Sequence, residues 1–114
     1  MFKVISAQTL ELRPGGTVKF KGLDYGVSTS FFHVKNDPGT GLDLQQHPYT
    51  ETWIVTRGQG QFSVGASQFE AGDGSIVVAS PKLPHKFLSI GDERLEMICI
   101  HPSASIEQQD LEEP

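Results

Sequence analysis

Short runs of β-forming residues, broken by glycine-bearing turns at roughly ten-residue intervals, set the tightest limit on what this chain can fold into. The runs fall at 8–12, 17–20, 27–34, 52–56, 61–64, 75–79, 85–88 and 95–100. They are rich in Val, Ile, Phe and Thr, which suit a pleated, half-buried surface. Between them stand Pro14-Gly15-Gly16, Asp37-Pro38-Gly39, Gly58-Gln59-Gly60, Gly65, Gly72-Asp73-Gly74 and Gly91-Asp92. Such sequences supply positive φ or a fixed turn. The pattern predicts an all-β sandwich or barrel, not βαβ units. A length of 114 residues suits one domain, residues 1–114, with a real core. Only the tail reads as helical: Ser105 and Gln108 can form a capping box ahead of a short helix over 106–111.

Charge narrows the function classes. The net charge is −5 and the nine basic residues are scattered, so no basic face exists to meet phosphates or an anionic membrane surface. The longest apolar runs, Ile76-Val77-Val78-Ala79 and Met97-Ile98-Cys99-Ile100, are four residues each, far short of a membrane span. No secretion signal is read at the N-terminus, and the cytoplasm is the expected location. A lone cysteine, Cys99, excludes an internal disulfide and a four-cysteine zinc site. It is expected to be a small buried hydrophobe in a late strand, not a reactive thiol.

Two of the four histidines lie in informative surroundings. Gln45 and His47 are two residues apart, so an extended segment points both the same way. Glu51, beyond Pro48, opens the next strand on the parity of His47, with Trp53 and Val55 on the same face. A carboxylate and an imidazole thus face large apolar side chains, where an unpaired charge is costly and a cation would remove the cost. In the second segment Pro81 and Pro84 restrict the turn that delivers His85, with Phe87 on its face. Two histidines and a glutamate from distant segments are ligands suited to a divalent transition metal.

These segments resemble the two sequence motifs of the cupin superfamily. The first motif is Gly, five residues, His, one residue, His, three or four residues, Glu, six residues, Gly. This chain has Gly39, Gln45, His47, Glu51 and Gly58 at those intervals, with glutamine replacing the first histidine. In the second motif Gly74 and His85 are kept, while Ser80, Lys82 and Ser89 replace its Pro, Gly and Asn. His47-Pro-Tyr-Thr-Glu51, Pro84-His85-Lys-Phe87 and Ile100-His101-Pro102-Ser103 look like small single-domain cupins of uncharacterised activity. The resemblance implies a double-stranded β-helix (jelly-roll) barrel with one metal ion in its interior.

Carried over position by position, the resemblance makes Gln45, His47, Glu51 and His85 the metal ligands. Gln45 can bind the ion through its amide oxygen, hydrogen-bond a bound water or substrate, or mark a barrel that binds its ligand without metal. The expected ion is one of Mn, Fe, Ni, Co or Zn. Trp53, Val55 and Phe87 can line the pocket, although core packing is the favoured account of them. Tyr49 can donate a hydrogen bond to a substrate, but a surface-loop role is expected for it. His33 is expected to be structural, His101 a strand-end residue, and Asp92-Glu93-Arg94 a polar turn.

Two functional classes are open. One is a metal-dependent dioxygenase, isomerase or lyase acting on a small organic substrate. The other is a non-catalytic barrel binding a sugar or metabolite. A homodimer paired through sheet edges is expected from the resemblance.

Overall fold

Side-chain alternation decides which face each strand buries. In the stretch Leu95 to His101 every odd residue is buried, and in Glu51 to Val55 likewise. A period of two is what a sheet with one dry face requires. The computed structural model describes residues 1–112. Eleven strands are present among them: β1 (Glu11–Leu12), β2 (Val18–Phe20), β3 (Ser30–Asn36), β4 (Gly41–Gln46), β5 (Glu51–Arg57), β6 (Gln59–Val64), β7 (Ser67–Gly72), β8 (Ile76–Ala79), β9 (His85–Ile90), β10 (Leu95–His101) and β11 (Gln109–Asp110). They form two antiparallel sheets, ordered β1-β2-β3-β10-β5-β8 and β11-β4-β9-β6-β7. The architecture is the predicted all-β jelly roll.

Apolar residues from both sheets meet between them. Trp53, Val55, Leu95, Met97 and Cys99 come from the first sheet, Phe62 and Phe87 from the second. Trp53 stacks on Phe62 with ring centroids 5.6 Å apart and meets Phe87 at 6.0 Å. Gly58, between β5 and β6, has φ +77°, and a Cβ there would lie 2.4 Å from the Arg94 carbonyl oxygen. Only glycine fits so close a backbone approach.

Three expectations are corrected. The tail forms no α-helix. Gln109 and Asp110 pair instead with Gln46 and Gln45 on the free edge of β4, and Leu111 N donates to the Leu44 carbonyl at 3.0 Å. A six-residue helix cannot repay its nucleation cost, whereas an open sheet edge offers hydrogen bonds at once. Residues 8–12 yield only β1, because Ala7–Thr9 forms a 3-10 turn capped by the Ser6 hydroxyl. The strand expected from Val27 begins at Ser30. β7 was not predicted: its Ser, Gln, Glu and Gly are weak strand formers, and the hairpin with β6 places Phe69 opposite Phe62.

A register shift between Glu96 and Met97 interrupts the pairing of β10 with β5. Beyond it Met97 faces Val55 and Cys99 faces Trp53. Continuing that register sets His101 beside Glu51.

Candidate metal centre

Glu51 is the hub of the polar cluster above the core. It opens β5 with 3% of its surface exposed. Its Oε1 lies 3.2 Å from Nε2 of both His47 and His85, and its Oε2 lies 3.0 Å from Nε2 of His101. All three imidazoles are buried. His47 follows β4, His85 opens β9 and His101 closes β10, so both sheets contribute.

The outer ring nitrogens are committed elsewhere. His47 donates from Nδ1 to the Glu107 carbonyl at 2.7 Å, and His85 donates from Nδ1 to the Leu83 carbonyl at 3.1 Å. Nδ1 of His101 hydrogen-bonds the Tyr49 hydroxyl at 2.5 Å. A carbonyl can only accept, so His47 and His85 carry Nδ1–H, and in the neutral ring Nε2 is left with its lone pair turned inward. Nε2 of His47, His85 and His101 and Oε1 of Glu51 have no hydrogen-bond partner despite their proximity. Buried lone pairs facing a carboxylate at about 3 Å need a positive charge among them.

The donor set fits a metal ion on this evidence. Two ligands about 2.1 Å from one ion and at right angles lie about 3.0 Å apart, which matches these separations. Donor atoms of His47, Glu51 and His101 all lie within 4.8 Å of one another. Nitrogen and carboxylate donors in this ratio suit Mn, Fe, Co, Ni or Zn.

In the metal-free protein a proton on His47 can supply that charge. Burial alone would raise the Glu51 carboxyl, but the imidazoles of His101, His47 and His85 hold it far below the usual carboxylate range. Burial would lower the His47 imidazole, but Glu51 and the Glu107 carbonyl outweigh it and raise the pKa above 6.5. Burial pushes the Cys99 thiol well up, with the charge of Glu51 acting in the same direction, so Cys99 is the inert buried residue expected.

A cavity of about 170 Å³ opens onto Glu51. Phe32, Val34, Leu42, Phe87 and Cys99 give it apolar walls; Gln45, Asn36 and Gln108 supply amides. Arg13 is the one cationic side chain on the wall among the described residues. Its guanidinium sits 5.6 Å from the Phe32 ring centroid and pairs with Glu11 at 3.1 Å.

Of the expected ligands, His47 and His85 each lie 3.2 Å from Glu51, while the donor atoms close enough to share one ion are those of His47, Glu51 and His101. Gln45 is buried on the same cavity wall as Glu51. Of the predicted pocket residues, Phe87 lines this cavity, while Trp53 and Val55 lie in the core beneath it. There the Trp53 ring meets His85 edge-on at 4.9 Å. Tyr49 is a correction: it is half-buried and bound to His101 and to Glu107 N–H. His33 lies on the outer face of β3, 3.8 Å from Glu96 and away from the cluster.

His101 is the residue sequence reasoning missed. Its signal was the odd-residue parity of Leu95, Met97 and Cys99, which continues to His101.

Lys82, which stands where the second motif has Gly, is the one non-glycine residue with positive φ (+61°) among the described residues. That explains the motif's glycine. Lys82 N–H also donates to the His47 carbonyl at 2.7 Å, tying this turn to the cluster.

Known proteins are similar to this chain over much of its length. Residues 32–101 match the cupin domain family. The uncharacterized protein MJ1618 of Methanocaldococcus jannaschii is 30% identical over 89 residues, 75% of this chain and 70% of that protein. A variant of Bacillus subtilis oxalate decarboxylase superposes with a TM-score of 0.79 at 22% identity, over 90% of this chain and 29% of the enzyme. The same enzyme appears in a structure concerned with its Mn(II) centres, with the same TM-score and identity. The formate complex of Lactobacillus farciminis oxalate decarboxylase gives 0.76 at 22% identity, over 89% of this chain and 32% of that one. At such identity the likeness is one of fold, and this chain spans less than a third of those enzymes' length. With the motif spacing, the two-sheet barrel and the matched residues in agreement, the chain belongs to the cupin domain family.

Proposed function

We propose that this chain is a single-barrel, metal-dependent cupin that holds one divalent transition metal ion on His47, Glu51, His85 and His101 and acts on a small organic anion. One observation carries the reading: three buried Nε2 atoms without hydrogen-bond partners surround one buried carboxylate. His101 supplies the imidazole that Gln45 does not. Bound there, an ion supplies Lewis acidity toward a substrate oxygen.

The protein's own groups define the ligand. Arg13 can hold a carboxylate at one end of the cavity, and the Gln45 amide can orient it near Glu51. The apolar walls keep bulk water away. A cavity of about 170 Å³ accommodates an organic acid on the order of ten heavy atoms or fewer. The fold relatives include oxalate decarboxylases, one with formate bound, which agrees with a small acid.

Elemental analysis of protein expressed with Mn and Fe supplied tests this. About one ion per chain is expected, and loss of it in His101→Ala and His47→Ala. Metal-free wild-type protein that takes up no Mn(II) or Fe(II) on anaerobic titration would overturn the reading. Gln45 supports a second reading, a barrel binding a small molecule without metal. It expects a ligand-induced rise in melting temperature that persists in chelator.

A further inference from the structure

β10 closes at His101, yet the chain continues over the donor cluster before β11 rejoins the second sheet. This stretch, 102–111, lies beyond the residues matched to the family. It is anchored at both ends. Ser30 Oγ donates to the Ser103 carbonyl at 2.8 Å and Leu23 N donates to the Ala104 carbonyl at 2.8 Å. β11 pairs with β4, and Gln46 Nε2 donates to Gln109 Oε1 at 3.0 Å.

Glu107 sits between these anchors, and its main chain reaches two donor histidines. Its carbonyl accepts from His47 Nδ1 at 2.7 Å. Its N–H donates at 3.1 Å to the Tyr49 hydroxyl, which hydrogen-bonds His101 Nδ1. The Tyr49 ring also lies parallel to His47, 5.5 Å away, and edge-on to His101 at 5.4 Å. The Glu107 side chain is exposed.

We infer that 102–111 is a positioning strap for the metal centre, acting through the Glu107 main chain and Tyr49, so that ion binding and strap docking reinforce each other. The inference rests on the metal reading above. An imidazole that gives its Nε2 lone pair to a cation becomes a stronger Nδ1–H donor, and here the Nδ1 partners are the strap and the tyrosine it holds. By linkage, whatever factor the strap adds to ion affinity, the ion adds to strap docking. The strap exposes residues 107–110, so little apolar burial masks that coupling.

The test uses the full chain with Co(II) and Mn(II) alone as probes. Tyr49→Phe keeps the ring contacts and removes the hydroxyl. Chelator competition is expected to show affinity lowered about 10–100-fold, the usual effect of losing an outer partner of a ligand. The visible spectrum of the Co(II)-loaded variant should shift. Glu112→Ala, at an exposed position beyond the strap, should change neither. In the wild type, glutamyl endopeptidase should cut after Glu107 several-fold more slowly with ion bound, read by mass spectrometry. Unchanged affinity and spectrum in Tyr49→Phe, or a cleavage rate indifferent to the ion, would sink the strap while leaving the metal centre standing. A wild type that takes no ion removes both.

Discussion

Replacing Glu51 with Gln isolates the charge at the centre of the cluster. The carboxamide keeps the shape but loses the negative charge within 3.0–3.2 Å of three Nε2 atoms. The cost depends on pH through two groups. Glu51 has its folded pKa depressed below 4.5, so its contribution is present above 4.5 and is lost as pH falls through the folded value. His47 has its folded pKa raised above 6.5, so its contribution is complete below 6.5 and is lost as pH rises through the folded value. Metal-free wild type is therefore most stable in the mildly acidic window between them. There the variant strands a protonated imidazole, and breaking a buried pair costs about 3–5 kcal/mol. For a chain of this size that lowers Tm by roughly 10–20 °C. At about pH 9 the difference should shrink toward zero, because the amide can donate to lone pairs that a carboxylate only opposes. Thermal unfolding followed by Trp53 fluorescence in chelator, at about pH 5.5 and about pH 9, gives both numbers. Mn(II) at about 100 times its Kd should add about 2.7 kcal/mol to the wild type and little to the variant. An equal Tm difference at both pH values, with equal stabilisation by Mn(II), would refute the reasoning.

Trp53→Ala removes a fully buried ring from between Phe62 and His85. It should cost about 3–5 kcal/mol, seen as a lower urea midpoint with an unchanged slope. Gln45→His adds an imidazole on the wall beside Glu51, and tighter Co(II) binding in chelator competition is expected; no change would place the side chain outside the donor set. The pairing of two copies expected from the sequence would run along β8, an edge strand exposing Ile76 and Val78. Val78→Lys should then convert dimer to monomer in sedimentation, and a wild type that sediments only as monomer removes the idea.

Much of the centre was legible because strand parity is local. Glu51, Trp53 and Val55 share a face by counting in twos, as do His85 and Phe87, and motif spacing brought the two segments together. The hidden part depends on pairing between remote strands. His101 reads as a strand-end residue because Pro102 comes next, and it does close β10; only the register of β10 against β5 sets it beside Glu51. Tyr49 looked like a loop residue because its partners, His101 and Glu107, are more than fifty positions away. The tail's local capping pattern favoured a helix, but the vacant edge of β4 decided its form. Polar β7 carried almost no intrinsic signal and exists because β6 templates it.

The unbroken two-residue period of β10 has a consequence for how this barrel tolerates change. Insertions in the 91–94 turn lie outside the strand and leave Met97, Cys99 and His101 pointing inward. Deleting one residue between 98 and 100 would reverse the orientation of the rest of the strand and swing the His101 imidazole to the outside, with no ligand chemically altered. Turns on this scaffold can therefore drift in length, whereas spacing inside the final long strand is as constrained as the identity of a ligand.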